Sequence, residues 1–328
     1  MTDTSTRPRR RLEFCLTVTV VVALTGLGIA SLVLPNTTLP QLRVGPASTT
    51  DSIGEAEAVD PRLAEIQRIV EPFGPIIARH VPTGDGRRSL IVGHPSQEMA
   101  IDTLEREVAA ATEAVTAVWG PDWAQSALVV VASSPSEFAG LLRATSLVPA
   151  EVAAASVADP ISPGHRPTGQ RVVFSSEAAR RLTPEELAGL LRHELTHIAA
   201  RSRTVIDAPR WMLEGFADYV AHHGRGHRFS DIVPTLVARA RAGDLPHALP
   251  TDAEFAGPDA ALGYETAWSV CAFVAEKYDL PHLVQLYVRI ASAEQDPTSE
   301  DHVLREVLGT TRSGFLADWH AWLAARAG

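Results

Sequence analysis

The sequence His193-Glu194-Leu195-Thr196-His197, followed seventeen residues later by Glu214, constrains this chain more tightly than any other feature. Two histidines at i and i+4 lie one turn apart on a single helix face, so both imidazoles reach one metal ion. Glu194 points to the adjacent side, where a carboxylate holds and deprotonates a water on that ion. A zinc site needs a third protein ligand, and Glu214 supplies it. The interval from His197 is long enough for a helix end, a turn and a returning antiparallel helix. Asp218 follows Glu214 by one turn on the same face, where it can accept the free ring N–H of a ligand histidine, fixing its tautomer and raising its basicity. A buried histidine pair on an amphipathic helix is the rival reading, and the company of Glu214 and Asp218 weighs against it.

The full pattern, His-Glu-Leu-Thr-His and then Trp211-x-x-Glu214-Gly215-x-Ala217-x-Tyr219, resembles the gluzincin metallopeptidases, the thermolysin-like group. It is closest to the peptidase MA-like domains of exported bacterial proteins. The resemblance covers roughly residues 170–285. It implies His193, His197 and Glu214 as zinc ligands, Glu194 as general base and Asp218 as the partner of a ligand histidine. Gly263-Tyr264-Glu265-Thr266-Ala267 is similar to the Tyr-Glu-Lys-Gly segment of aminopeptidase N-like gluzincins, whose tyrosine stabilises the oxyanion. Tyr264 takes that role in the resemblance; a core aromatic at a helix start is the alternative. The Gly-x-Met-Glu-Asn motif that binds a free amino terminus in that family is absent, so an endopeptidase is favoured over an aminopeptidase.

The sequence pattern predicts an α+β fold. Arg88–Gly93, Ala127–Ala132, Ser156–Ala158 and Gln170–Ser175 read as strands, Met99–Trp119 and a short segment near Ser136 as helices. Residues 159–169, with three prolines and two glycines, read as a loop. From Thr183 onward the pattern is helical. Thr183-Pro184-Glu185-Glu186 is a capping box with proline at the first helical position. Its helix runs to about Ala200, another from Pro209 to His222, and others at about 231–241, 264–278, 281–292, 299–308 and 313–326. The expected organisation is a small α/β lobe over 61–182 with a short sheet, then a mainly helical zincin-like lobe over 183–328. The strand at 170–175 is expected at the edge of the cleft, pairing with an extended substrate.

Three further features take plainer readings. His222-His223-Gly224-Arg225-Gly226-His227 offers metal ligands but follows a helix end, as a solvated C-terminal cap does. Trp319 and Trp322 fit the core face of a terminal helix. Arg201 and Arg203 suit the negative end of the preceding helix dipole, with substrate contact as the lesser reading.

Residues 12–34 form an apolar run with Glu13 its sole charge, preceded by Arg9-Arg10-Arg11 and closed by Pro35. A run of this length spans the ~30 Å hydrocarbon core of a membrane as a helix. It exceeds the 7–15 apolar residues typical of a signal peptide, and no Ala-x-Ala site follows. Residues 1–11 read as a cytoplasmic basic tail, 12–34 as an uncleaved transmembrane helix, and 35–60, rich in Pro, Thr, Ser and Gly, as a flexible linker. The domain beyond is expected outside the cell, as a secreted form if residues 1–34 are removed. The two cysteines, Cys15 and Cys271, fall in unrelated segments and offer neither a disulfide nor a thiolate metal site. With 39 acidic residues against 29 basic, the chain carries −10, and four of its arginines crowd the first eleven positions. Such a balance disfavours nucleic acid as a partner.

These features together read as a membrane-anchored, exported zinc peptidase with one Zn2+ per chain and a peptide or protein as substrate. The alternative is a catalytically inactive, zinc-stabilised binding module, against which the intact Glu194 argues. The topology reading has a direct test: protease added to intact cells should digest the domain from residue 35 onward and spare the N-terminal tail. Full protection of the C-terminal domain would contradict it.

Overall fold

Three short runs of aliphatic and branched residues form the parallel centre of the sheet. The computed structural model describes residues 60–145, 148–159, 165–256 and 259–327. The expected tail, membrane helix and linker lie outside them, apart from residue 60. Among the described residues no helix is long and apolar enough to cross a membrane. The chain enters through helix α1 (Pro61–Val70), capped by the Asp60 carboxylate, which accepts the Arg62 N–H. A hairpin of β1 (Ile77–Gly84) and β2 (Arg87–Gly93) follows. Then come α2 (Glu98–Trp119), β3 (Leu128–Val131), α3 (Pro135–Leu141), β4 (Ala154–Val157) and β5 (Arg171–Phe174).

The sheet order is β1-β2-β3-β5-β4, with β2, β3 and β5 parallel and both outer strands antiparallel to their neighbours. Every residue of β3 and β5 is buried, as expected for strands covered on both faces. Alternation divides them: Leu90, Val92, Val130 and Val173 face a small core with α1 and α3. Ile91, Val129, Val172 and Phe174 face the main core, which continues without a break into the helical lobe.

That lobe starts with the short α4 (Ser176–Arg181) and then α5 (Pro184–Ala200), whose reciprocal Thr183–Glu186 capping box is present as expected. It continues through α6 (Arg210–His222), α7 (Phe229–Ile232), α8 (Pro234–Arg241), α9 (Ala260–Lys277), α10 (Leu280–Ile290), α11 (Pro297–Leu308) and α12 (Arg312–Ala327). The fold is thus α+β, a five-stranded mixed-sheet lobe followed by a mainly helical one. Trp319 is buried, its indole N–H donating to Ser269 Oγ. Trp322 is only partly covered by the same core.

Three points depart from the sequence expectations. The sequence pattern marks neither the first strand nor the helix before it, although the helix is amphipathic, burying Ile66 and Val70, and the strand alternates between half-buried and exposed residues. Pro82 is tolerated in β1 because that strand is an edge, and Asp85-Gly86, both at positive φ, make the tight turn that pairs it with β2. The segment expected at 231–241 is two helices, broken before Pro234. Finally, β5 is not at the edge of the sheet. It lies between β3 and β4, and β4 is the outer strand at that end of the sheet, running beside α5.

Two glycines show how differently the helices of this lobe are packed. Gly215 of α6 abuts α9 so closely that a Cβ would overlap the backbone carbonyl of Ala267. At Gly189 of α5 a Cβ would meet only the end of the Arg225 side chain, which can swing away. Gly215→Ala should therefore lower stability by about 1–3 kcal/mol through overpacking. Gly189→Ala should be neutral or stabilising by up to about 1 kcal/mol through helix propensity. Thermal denaturation of the two variants side by side checks the contrast.

Candidate metal centre

Helices α5 and α6 pack against each other and bring the predicted ligands together. His193 and His197 project from one face of α5, and their Nε2 atoms lie 3.1 Å apart. Glu214 Oε2, from α6, is 3.5 Å from the first and 3.8 Å from the second. Zinc bonds of about 2.0–2.1 Å in a tetrahedron would set donor atoms about 3.3 Å apart, so the triangle already has the right scale. Among the described residues these three are the one group of three His, Cys, Asp or Glu side chains that converges in this way.

The orientation of the rings is fixed from behind. Asp218 Oδ1 accepts the Nδ1–H of His193 at 2.7 Å, so Nε2, facing Glu214, is the nitrogen that can bind an ion. The carboxylate at i+4 from Glu214 thus serves His193 rather than His197. The start of α6 is held by neighbours, because Pro209 offers no side-chain cap. Asp252 accepts the Arg210 N–H, and the Trp211 indole donates to Glu300, which also pairs with Arg312.

Hydrogen bonding in this cluster is incomplete. Neither oxygen of Glu214 or of Glu194 has a hydrogen-bonding partner of good geometry, and both residues are fully buried. Burial lifts the Glu194 carboxyl to about 8, with Glu214 adding to the rise and His193 opposing it. Burial likewise raises Glu214, against the pull of His193. For His193 burial opposes the charge, but Asp218, Glu214 and Glu194 outweigh it and hold the ring well above the usual imidazole range. Burial, with His193 beside it, pushes His197 well below that range. Orphaned carboxylate oxygens beside two imidazole nitrogens form a borderline N/O donor set that fits zinc.

Glu194 follows His193 on α5 and is fully buried, with no ion pair to an Arg or Lys. Ser156 of the edge strand β4 faces it, close enough that its hydroxyl and N–H favour the ionised form. The sequence pattern places Ser156 in a strand without giving it a part at the site; no local motif marks it. Tyr264, in the first turns of α9, is buried edge-on against Phe255. Burial raises its phenol well above 10, and the charges of Glu214, Asp218 and Glu194 add to the rise, which places the ring in the field of the site. The adjacent Glu265 turns elsewhere, accepting the Leu236 N–H at 2.7 Å and so capping α8. Arg201 bonds the Thr204 carbonyl and Arg203 pairs with Asp122, so both are occupied at the end of α5.

Known proteins add the following. No family model matches the chain. No curated protein matches it either. Among solved structures, it is similar to a variant of a two-domain M1 zinc metallopeptidase bound to L-arginine, with 15% identity and a TM-score of 0.43 over 77% of this chain and 52% of that one. It is also similar to a variant of an M1 zinc metallopeptidase from Deinococcus radiodurans, with 15% identity and a TM-score of 0.40 over 77% and 53%. The chain spans about half the length of these structures. The resemblance to gluzincins read from the sequence is matched in the structure by the convergence of His193, His197 and Glu214.

The Asp218 contact is separable from the ligands themselves. Asp218→Asn keeps an accepting oxygen but removes the charge behind His193, and zinc affinity should fall about 10–100-fold with the fold intact. Competition against a chromogenic chelator, with circular dichroism as the folding control, measures this; unchanged affinity would remove Asp218 from the site.

Proposed function

We propose that this chain is an exported zinc-dependent peptidase that cleaves within peptide or protein chains, held at the membrane by residues 12–34 with its catalytic domain outside the cell. The observation that carries the catalytic reading is a fully buried Glu194 beside a triangle of two imidazoles and a carboxylate at zinc-binding spacing. A site that only stabilised the fold would gain nothing from a buried base at that position. His193, His197 and Glu214 would hold the ion, one per chain. When bound, zinc supplies Lewis acidity that polarises a substrate carbonyl and acidifies a water.

The remaining chemistry belongs to the chain's own residues. Glu194 takes the proton from the attacking water and returns it to the leaving amine. Its burial, by raising its proton affinity, suits both halves of that shuttle. Tyr264 donates its phenolic O–H toward the negative charge that develops on the carbonyl oxygen. The outer side of β4, beside α5, offers backbone groups to an extended substrate, the part that the sequence pattern assigns to β5. The absence of a Gly-x-Met-Glu-Asn motif supports internal cleavage rather than removal of an amino-terminal residue.

Glu194→Gln preserves the size of the side chain and removes the base. Zinc content should stay near wild type while hydrolysis of a peptide library falls ~10²–10⁴-fold. Tyr264→Phe should lower turnover roughly 10²–10³-fold with little change in substrate binding. Near-normal, chelator-sensitive cleavage by Glu194→Gln would defeat the reading, and a wild type that binds zinc but cleaves nothing would favour the binding module.

A further inference from the structure

A second set of metal-ligating side chains lies where α6 ends, apart from the His193–His197–Glu214 group. His222, in the last turn of α6, and His227, five residues on, meet through their Nδ1 atoms at 2.9 Å. Gly224 and Gly226, each at a φ of 72°, reverse the chain between them so that the two rings face one another. The spacing is close to the 3.1 Å between the nitrogens of His193 and His197. Behind His227, Glu185 Oε1 lies 3.2 Å from the other ring nitrogen, Nε2. The start of α5 thus gives His227 the same carboxylate backing that Asp218 gives His193.

Burial, ahead of the opposing pull of Asp218, lowers the His222 imidazole to about 4, so this ring is neutral near pH 7. The two rings border a cavity of about 290 Å³, lined also by Tyr219, His223 and Trp268. It has room for waters to complete a coordination sphere. His223 caps α6 and is exposed, as expected, whereas His222 and His227 are half-buried against one another.

We propose that His222 and His227 bind a second divalent transition-metal ion of the imidazole-preferring class, such as Zn2+, through their Nδ1 atoms. Glu185 orients His227 and solvent fills the remaining positions. With two protein ligands in place of three, this site is weaker than the first. It ties the 223–227 turn to α6 and, through Glu185, to the start of α5. The competing account is a plain Nδ1–H···Nδ1 hydrogen bond, which gives the same spacing and takes up no ion.

Zn2+ titration of the purified full chain, read as bound zinc per chain by equilibrium dialysis and elemental analysis, separates the two. Wild type should take up two ions, the second at least about tenfold more weakly. His197→Ala should lose the tight ion and keep the weak one. His227→Ala, on a surface turn, should do the reverse, and Glu185→Gln should weaken the second ion about 10–100-fold while leaving the first untouched. Saturation of wild type at one ion overturns the proposal. So does uptake of an undiminished second ion by His227→Ala, or indifference of that ion to Glu185→Gln.

Discussion

The contact between His193 Nδ1 and Asp218 Oδ1 joins the two helices on which the rest of the site depends. It requires α5 and α6 to run alongside one another with a fixed rotation about each axis. Once that rotation is fixed, Glu214, one turn before Asp218, necessarily faces the open nitrogen of His193. The contact itself is a buried polar pair, and such pairs cost stability unless both partners are satisfied. Here the surroundings supply what the pair needs: the sheet and α2 support α5 from one side, and α9 supports α6 from the other.

The centre gathers three carboxyl groups and two imidazoles inside a largely apolar enclosure. Two fully buried carboxyl groups with so little hydrogen bonding are a liability in a protein whose only virtue is stability. They make sense where a cation is to be held and a proton moved. Contrast Glu137, which is just as buried but bonds both Ser133 and His94. The difference between a finished network and an unfinished one separates the site from the scaffold.

Most of the ligand set is legible in the sequence because helical periodicity converts spacing directly into spatial proximity. His193, His197, Glu214 and Asp218 form two i, i+4 pairs, and each pair needs nothing but its own helix to be aligned. The capping box at Thr183 and the breaks at Gly120 and Pro209 are equally local. What the sequence pattern does not reveal depends on contacts distant along the chain. Which strand is the sheet edge follows from pairing across dozens of residues, so the pattern assigns β5 the place that belongs to β4. Ser156 acquires its neighbour Glu194 only through that topology. His222 and His227 read as solvent-facing because Gly224 and Gly226 mark a turn without saying what it brings together, and the carboxylate from α5 lies distant along the chain.

The close approach of Gly215 to Ala267 has a consequence for how this site can change. Glu214 precedes that glycine on α6, and Tyr264 lies one turn before Ala267 on α9, so the two are linked through backbone touching backbone. A backbone has no rotamers with which to absorb a displacement. The spacing of acid and phenol is therefore a rigid dimension of the frame, like the gap in a caliper whose jaws are cast in one piece. Reshaping what the cleft accepts must come from its adjustable borders, the rim strand and the loops, while the measuring part stays as it is.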